Sequence, residues 1–269
     1  DTAGNVNWTE QRSVIVNVSN APPQIIWVQN ISNTDPLIGG VQNISFNFTV
    51  YDGDGFSDLN DATLKGNFTK AGINRSSSSC VRLVNWSSNY ANYSCMVKLW
   101  YFDNSGYWNI TVSISDLLLN SAVNDTTTFH YNAQSGYLIT PDYISWSSIS
   151  LGTSKKADKN LTIQNLGNIN ISEINISATT LNGTDSLYYS ETINASNFSF
   201  GEANLDVCNA GNNLFENKNV SGGIKIPYFT STFTTPAYKN MSFCLKQVSD
   251  IHPQTFVSSK DWQIHVAFS

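Results

Sequence analysis

Residues 52–61 read Asp-Gly-Asp-Gly-Phe-Ser-Asp-Leu-Asn-Asp, and four of the ten side chains are carboxylates. Asp52, Asp54 and Asp58, with Asn60 or Asp61, offer hard oxygen ligands, and Gly53 and Gly55 permit the tight loop that calcium coordination requires. The spacing departs from the EF-hand loop, because its regular third acidic position and its terminal Glu are missing. Asp and Gly also make ordinary polar turns between strands, so a calcium ion here would serve to stiffen the loop. Catalytic chemistry finds less material. Of the three histidines, His130 sits between Phe129 and Tyr131 and His265 between Ile264 and Val266, which places both on a solvent face, while His252 precedes Pro253 in a turn. GxSxG, HExxH and phosphate-loop patterns are absent. A pair of distant acids could still converge as in glycosidases, but the chain holds only five Glu. The expectation is a protein that is not an enzyme.

The second chemistry is covalent and repeated. The N-glycosylation pattern Asn-x-Ser/Thr occurs at nineteen positions: Asn7, Asn17, Asn30, Asn43, Asn47, Asn67, Asn74, Asn85, Asn92, Asn109, Asn124, Asn160, Asn170, Asn175, Asn182, Asn194, Asn197, Asn219 and Asn240. With 34 Asn, and Ser plus Thr at 57 of 269 positions, chance would give roughly seven. The sequons also fall in phase with strands. In residues 41–50, Ile44, Phe46, Phe48 and Val50 alternate with Asn43, Ser45, Asn47 and Thr49, so a core-facing row leaves both acceptor amides outside. Asn109, among Trp108, Ile110, Val112 and Ile114, and Asn160, beside Leu161 and Ile163, repeat the arrangement.

Composition supports the same expectation. Charged residues are only 13% of the chain, about half the usual share. Amides and hydroxyls replace them, and covalent N-glycans would supply the missing solvation. A net charge of −6 provides no basic face, which argues against nucleic acid and anionic membrane surfaces as partners. No run of about twenty apolar residues spans a membrane, and no signal-like segment opens the chain. It therefore reads as mature or as a piece of something longer, held at a cell surface by assembly or by a partner. Four cysteines allow three pairings, and spacing favours Cys80–Cys95 with Cys208–Cys244. Each bridge would contribute roughly 3 to 4 kcal/mol by loop entropy and implies an oxidising, extracellular location. A zinc site is the rival, but no CxxC pair occurs. Seven Trp raise the question of a carbohydrate-binding platform, yet Trp108 and Trp262 fit core faces.

Period-two alternation recurs along the chain, with turn residues every eight to fifteen positions, which indicates β-sandwiches. One helical turn is conceivable at residues 115–119. Residues 1–20 form a strand arm carrying Val14, Val16 and Val18, stopped by Pro22 and Pro23. Residues 21–133 make a first sandwich and residues 134–269 a second, ending in a strand that aligns Trp262, Ile264, Val266 and Phe268.

Asp1, Ala3, Gly4 and Asn5 followed by the Val-rich strand and Pro22-Pro23 resemble the last hairpin of an immunoglobulin-like domain of prokaryotic surface proteins. Residues 50–59 are similar to an early strand and loop of that class. Residues 151–171 resemble β-sandwich modules of archaeal surface glycoproteins. The resemblance implies an all-β chain of two tandem immunoglobulin-like sandwiches with an N-terminal arm, in a surface layer, an appendage or an adhesin, and it carries over no catalytic residue. The arm has three readings: the stub of a larger protein, an extra strand folded back on the first sandwich, or a donor strand completing a neighbouring subunit. The expected function is structural, a self-associating subunit of a filament or surface layer in contact with other surface glycoproteins or cells. The alternative is an adhesin or glycan-binding module.

Overall fold

The computed structural model describes residues 19–83, 87–230, 235–248 and 250–269. Asn7, Asn17, Asn85, Trp8, Trp86 and nearly all of the expected N-terminal arm lie outside the described residues.

The first half consists of strands β1 (Gln24–Val28), β2 (Val41–Tyr51), β3 (Leu59–Lys70), β4 (Ile73–Arg82), β5 (Tyr90–Trp100), β6 (Gly106–Asp116) and β7 (Ser121–Tyr131). They pair antiparallel in the order β1-β2-β5-β4-β3-β6-β7. Alternation builds the core. Phe46, Phe48 and Val50 of β2, Tyr93, Val97 and Leu99 of β5, and Trp108, Ile110, Val112 and Ile114 of β6 are all buried. The sheet doubles over on itself: the Phe46 ring meets Phe68 of β3 at 5.4 Å, although β5 and β4 separate their strands, and Phe68 meets Phe129 of β7 at 4.7 Å. Burying both inner rows in this way is sandwich-type packing. Residues 115–119 make a hairpin turn rather than a helical one. The amide of Leu119 donates to the Asp116 carbonyl, and Leu119 takes a left-handed backbone with φ of 70°.

The second half uses shorter strands: β8 (Tyr137–Thr140), β9 (Lys155–Lys156), β10 (Leu161–Asn165), β11 (Ile171–Ser177), β12 (Leu181–Gly183), β13 (Thr192–Ile193), β14 (Phe198–Glu202), β15 (Asn212–Asn213), β16 (Val220–Ser221), β17 (Tyr238–Leu245), β18 (Phe256–Ser258) and β19 (Gln263–Phe268). A single helical turn, α1 (Val207–Ala210), interrupts them. A six-stranded sheet holds β15, β14, β17, β10, β8 and β9, and two three-stranded sheets hold β16-β11-β19 and β13-β12-β18. Apolar side chains gather in two clusters, one drawn from residues 25–131 and the other from residues 139–268. The protein is thus all-β, and its strand ladders are antiparallel.

Cys80 is bonded to Cys95 and Cys208 to Cys244, the pairing that spacing favours. Cys80 and Cys95 stand directly opposite each other on β4 and β5. Gly66 of β3 explains itself here. A Cβ at this position would lie 3.0 Å from the Cys95 sulfur and 3.1 Å from the Phe46 ring, so the strand passes under the bridge only because no side chain intervenes. Gly66→Ala is expected to cost about 1 to 3 kcal/mol through overpacking, measured as a lowered urea midpoint with an unchanged slope.

Candidate functional site

Asp52 follows the last residue of β2, and a tight turn with Gly55 at φ of 106° carries the chain into the 3-10 turn Phe56–Asp58. This brings carboxylate oxygens of Asp52, Asp54 and Asp58 within 4.8 Å of one another. Asp52 is fully buried. Its Oδ1 accepts the Asp54 amide at 2.9 Å, whereas its Oδ2 and the Oδ2 of Asp58 are buried without any hydrogen-bond donor. A fourth acid arrives from β6. Asp116 is fully buried and well satisfied, with Asn20 Nδ2 at 2.7 Å on Oδ2, the Asn120 amide at 2.8 Å on Oδ1, and Asn120 Nδ2 at 2.9 Å on Oδ2.

The charges respond accordingly. Burial, reinforced by Asp58, Asp54 and Asp116, holds the Asp52 carboxyl above its usual range despite the Asp54 amide. Burial and then the charges of Asp116 and Asp54 raise Asp58. Burial works against the Asp116 charge too, but the donors from Asn120 and Asn20 outweigh it and lower its pKa. Among the described residues no basic side chain is ion-paired with Asp52, Asp54 or Asp58.

Asp61 departs from expectation. Its carboxylate is turned away from the group to Arg82, whose Nη2 lies 2.5 Å from Oδ1, and it also accepts the Tyr93 hydroxyl at 2.9 Å. Arg82 further bonds the Phe56 and Leu59 carbonyls. A neutralised carboxylate held by a guanidinium is a poor cation ligand, so the group is Asp52, Asp54 and Asp58. Asn60 is engaged locally, accepting the Ala62 amide. Asp116, the acid beside the group, is what sequence reading missed. Its signal was an acid placed where β6 should end, hidden by reading residues 115–119 as a helical turn.

The sequons define a second, distributed feature. None of the sixteen described sequon asparagines is buried. Asn30, Asn43, Asn47, Asn74, Asn160, Asn170, Asn194, Asn219 and Asn240 are exposed; Asn67, Asn92, Asn109, Asn124, Asn175, Asn182 and Asn197 are half-buried. Among the described residues the buried asparagines are Asn165 and Asn168, and neither belongs to a sequon. Both do internal work: Asn165 bonds the Ile169 carbonyl and the Gly167 amide, and Asn168 bonds the Asn132 carbonyl and the Gln134 amide. At several sequons the side chain accepts through Oδ1 from a neighbour, as Asn92 does from Thr49 and Asn240 from Thr162.

Of the histidines, His130 is half-buried and His265 exposed. His252 pairs with Glu191 at 2.6 Å and stacks on Tyr188 at 3.8 Å. Trp108, Trp146 and Trp262 pack into the two cores, while Trp27 and Trp100 are exposed. No described helix is long and apolar enough to cross a membrane.

No protein-family model matches the chain, and no curated protein matches it either. Similar solved structures include dimeric latent PorU from Porphyromonas gingivalis, at 10% identity and a TM-score of 0.30, covering 96% of this chain and 21% of that one. The CsuC-CsuE chaperone–tip adhesion subunit pre-assembly complex from the archaic chaperone-usher Csu pili of Acinetobacter baumannii is similar at 10% identity and a TM-score of 0.36, covering 92% of this chain and 99% of that one. The secreted serine protease VesC from Vibrio cholerae follows at 6% identity and a TM-score of 0.21, covering 90% and 50%. The chain thus spans 21% of PorU and half of VesC.

Proposed function

We propose that this protein is a non-catalytic extracellular glycoprotein, a structural subunit of a surface assembly built from tandem immunoglobulin-like sandwiches. The observation that carries the reading is the sorting of asparagines: every described sequon asparagine is exposed or half-buried, and the two fully buried asparagines of the described residues, Asn165 and Asn168, lie outside sequons. Glycans on the outer rows would cover the broad faces of the sheets. Strand edges and termini then remain for protein contacts, and main-chain pairing along an edge is a general route to polymerisation. The edge strand β1 exposes Ile26 and Trp27, each about half accessible, which suits a contact of this kind. The Val-rich segment within residues 1–20 is the proposed donor strand. Two disulfides suit an oxidising exterior.

Light scattering and negative-stain electron microscopy of native material test this. Ordered filaments or sheets that disappear when residues 1–20 are deleted are the expected result. A monodisperse glycosylated monomer at every concentration would sink the assembly reading.

A further inference from the structure

The acid group lies where the chain enters the first sandwich. The Ala21 amide donates to Asp54 Oδ2 at 2.7 Å, and Asn20 Nδ2 donates to Asp116 Oδ2 at 2.7 Å. Ala21 is thus seated on the loop that gathers Asp52, Asp54 and Asp58, and Asn20 on Asp116 at the end of β6. From the other side the Asn89 side chain ties the loop down, donating to the Asp52 and Gly53 carbonyls at 2.8 and 3.0 Å.

An acidic cluster alone says little, since exposed acids often sit together. Here the distinguishing fact is burial. Asp52 is wholly inaccessible, its Oδ2 has no donor, and the Oδ2 of Asp58 is in the same condition. A buried carboxylate oxygen with no hydrogen bond costs on the order of 1 to 3 kcal/mol, more when charged. Two such oxygens facing a third carboxylate call for a positive charge between them. The spacing suits one ion. Ligands around one ion at about 2.3 to 2.6 Å can stand no more than about 5 Å apart, and these oxygens lie within 4.8 Å of one another. Magnesium demands a strict octahedron and gives up its water reluctantly, whereas calcium accepts an irregular set of carboxylate oxygens. The geometry points to a calcium-sized divalent cation bound by Asp52, Asp54 and Asp58, with water completing the shell, that locks residues 20 and 21 onto the first sandwich. This inference stands on the loop alone and does not require the assembly reading.

The test uses the full glycosylated chain and calcium itself. After chelator treatment, calorimetric titration with calcium up to about 10 mM, tenfold above the weakest affinities of extracellular calcium modules near 10⁻³ M, should show one ion bound per chain and a raised melting temperature. The variant D52N/D58N should keep the wild-type far-ultraviolet spectrum in chelator and lose both the binding and the thermal shift. Because it carries the same sequons, equal calcium binding by variant and wild type would assign the ion to glycans or elsewhere and overturn the site. Should the variant fail to fold, the wild-type titration still decides: no heat and no thermal shift up to that concentration also overturns it. Limited proteolysis reads the junction. Calcium should suppress cleavage around residues 19–21 severalfold in the wild type, and binding without such protection would refute the lock.

Discussion

Glycopeptide mapping of the native chain is expected to find Asn43, Asn47, Asn74, Asn160 and Asn240 modified, with Asn175 the least occupied of the described sequons. The first five are exposed, and Asn43 and Asn47 project from the same outer row of β2. Asn175 differs: it is half-buried in β11, and its Oδ1 is buried without a partner, so its amide is turned inward. Removing the modified set, as N43Q/N47Q/N74Q/N160Q/N240Q, should lower solubility severalfold in centrifugation assays while leaving the far-ultraviolet spectrum unchanged. The reason is the poverty of charge on the faces. On β2, Asn43, Ser45 and Asn47 point outward, and on β5 the same face carries Asn92, Ser94, Met96 and Lys98. Lys98 is the one charge in that set. On β6, Asn109, Thr111, Ser113 and Ser115 add none. A bare protein at −6 over 269 residues, with such faces, has little to oppose association. Unmodified exposed sequons and an undiminished solubility would remove the main support for the glycoprotein reading.

Strand phase was the most legible part of this chain. The alternation through residues 41–50 predicted which side chains of β2 are buried, with one exception. Thr49, in the outward phase, is only 8% exposed because its hydroxyl reaches Asn92 across the strand pair. Cysteine spacing was legible for the same reason that loops close locally: 15 and 36 residues separate the bonded pairs. The acid group was half legible. Asp52, Asp54 and Asp58 are close in sequence, and a short turn must keep them close. Asp116 comes from a strand whose neighbour, β3, is set by long-range pairing, and no local pattern encodes that. Asp61 was misplaced because its fate depends on Arg82, 21 residues away. Local composition indicates a ligand; the competing cation comes from a distant strand.

Asp103→Ala is expected to cost about 3 to 5 kcal/mol, the range for breaking a buried ion pair from one side. Asp103 is 1% exposed and accepts from Arg75 through both Nε, at 3.0 Å, and Nη2, at 2.5 Å. It also accepts the Trp100 amide at 2.7 Å, which closes the turn after β5. Burial nevertheless raises its pKa, with Arg75 and the Trp100 amide pulling only part of the way back. The sign follows. A carboxyl whose folded pKa lies above its unfolded value near 3.8 makes the fold lose stability as pH rises between those two values, with a plateau above. Wild type should therefore lose stability relative to Asp103→Asn over that interval. The pair is consequently expensive to break yet dispensable: R75M/D103L should recover most of the loss, since apolar replacement of a buried pair is often neutral. Urea midpoints of the single and double variants check both statements. The turn also touches the second half of the chain, through Gln164 Nε2 to the Tyr101 hydroxyl at 3.4 Å and the Tyr228 hydroxyl to Asn104 Oδ1 at 2.6 Å. Loosening it should open residues 100–104 to proteolysis well before either core melts. A variant as protease-resistant as wild type would mean that Asp103 stabilises only its own half, and that contacts such as the Asn168 bond to the Asn132 carbonyl and the Gly39 amide bond to the Leu166 carbonyl suffice to hold the two halves together.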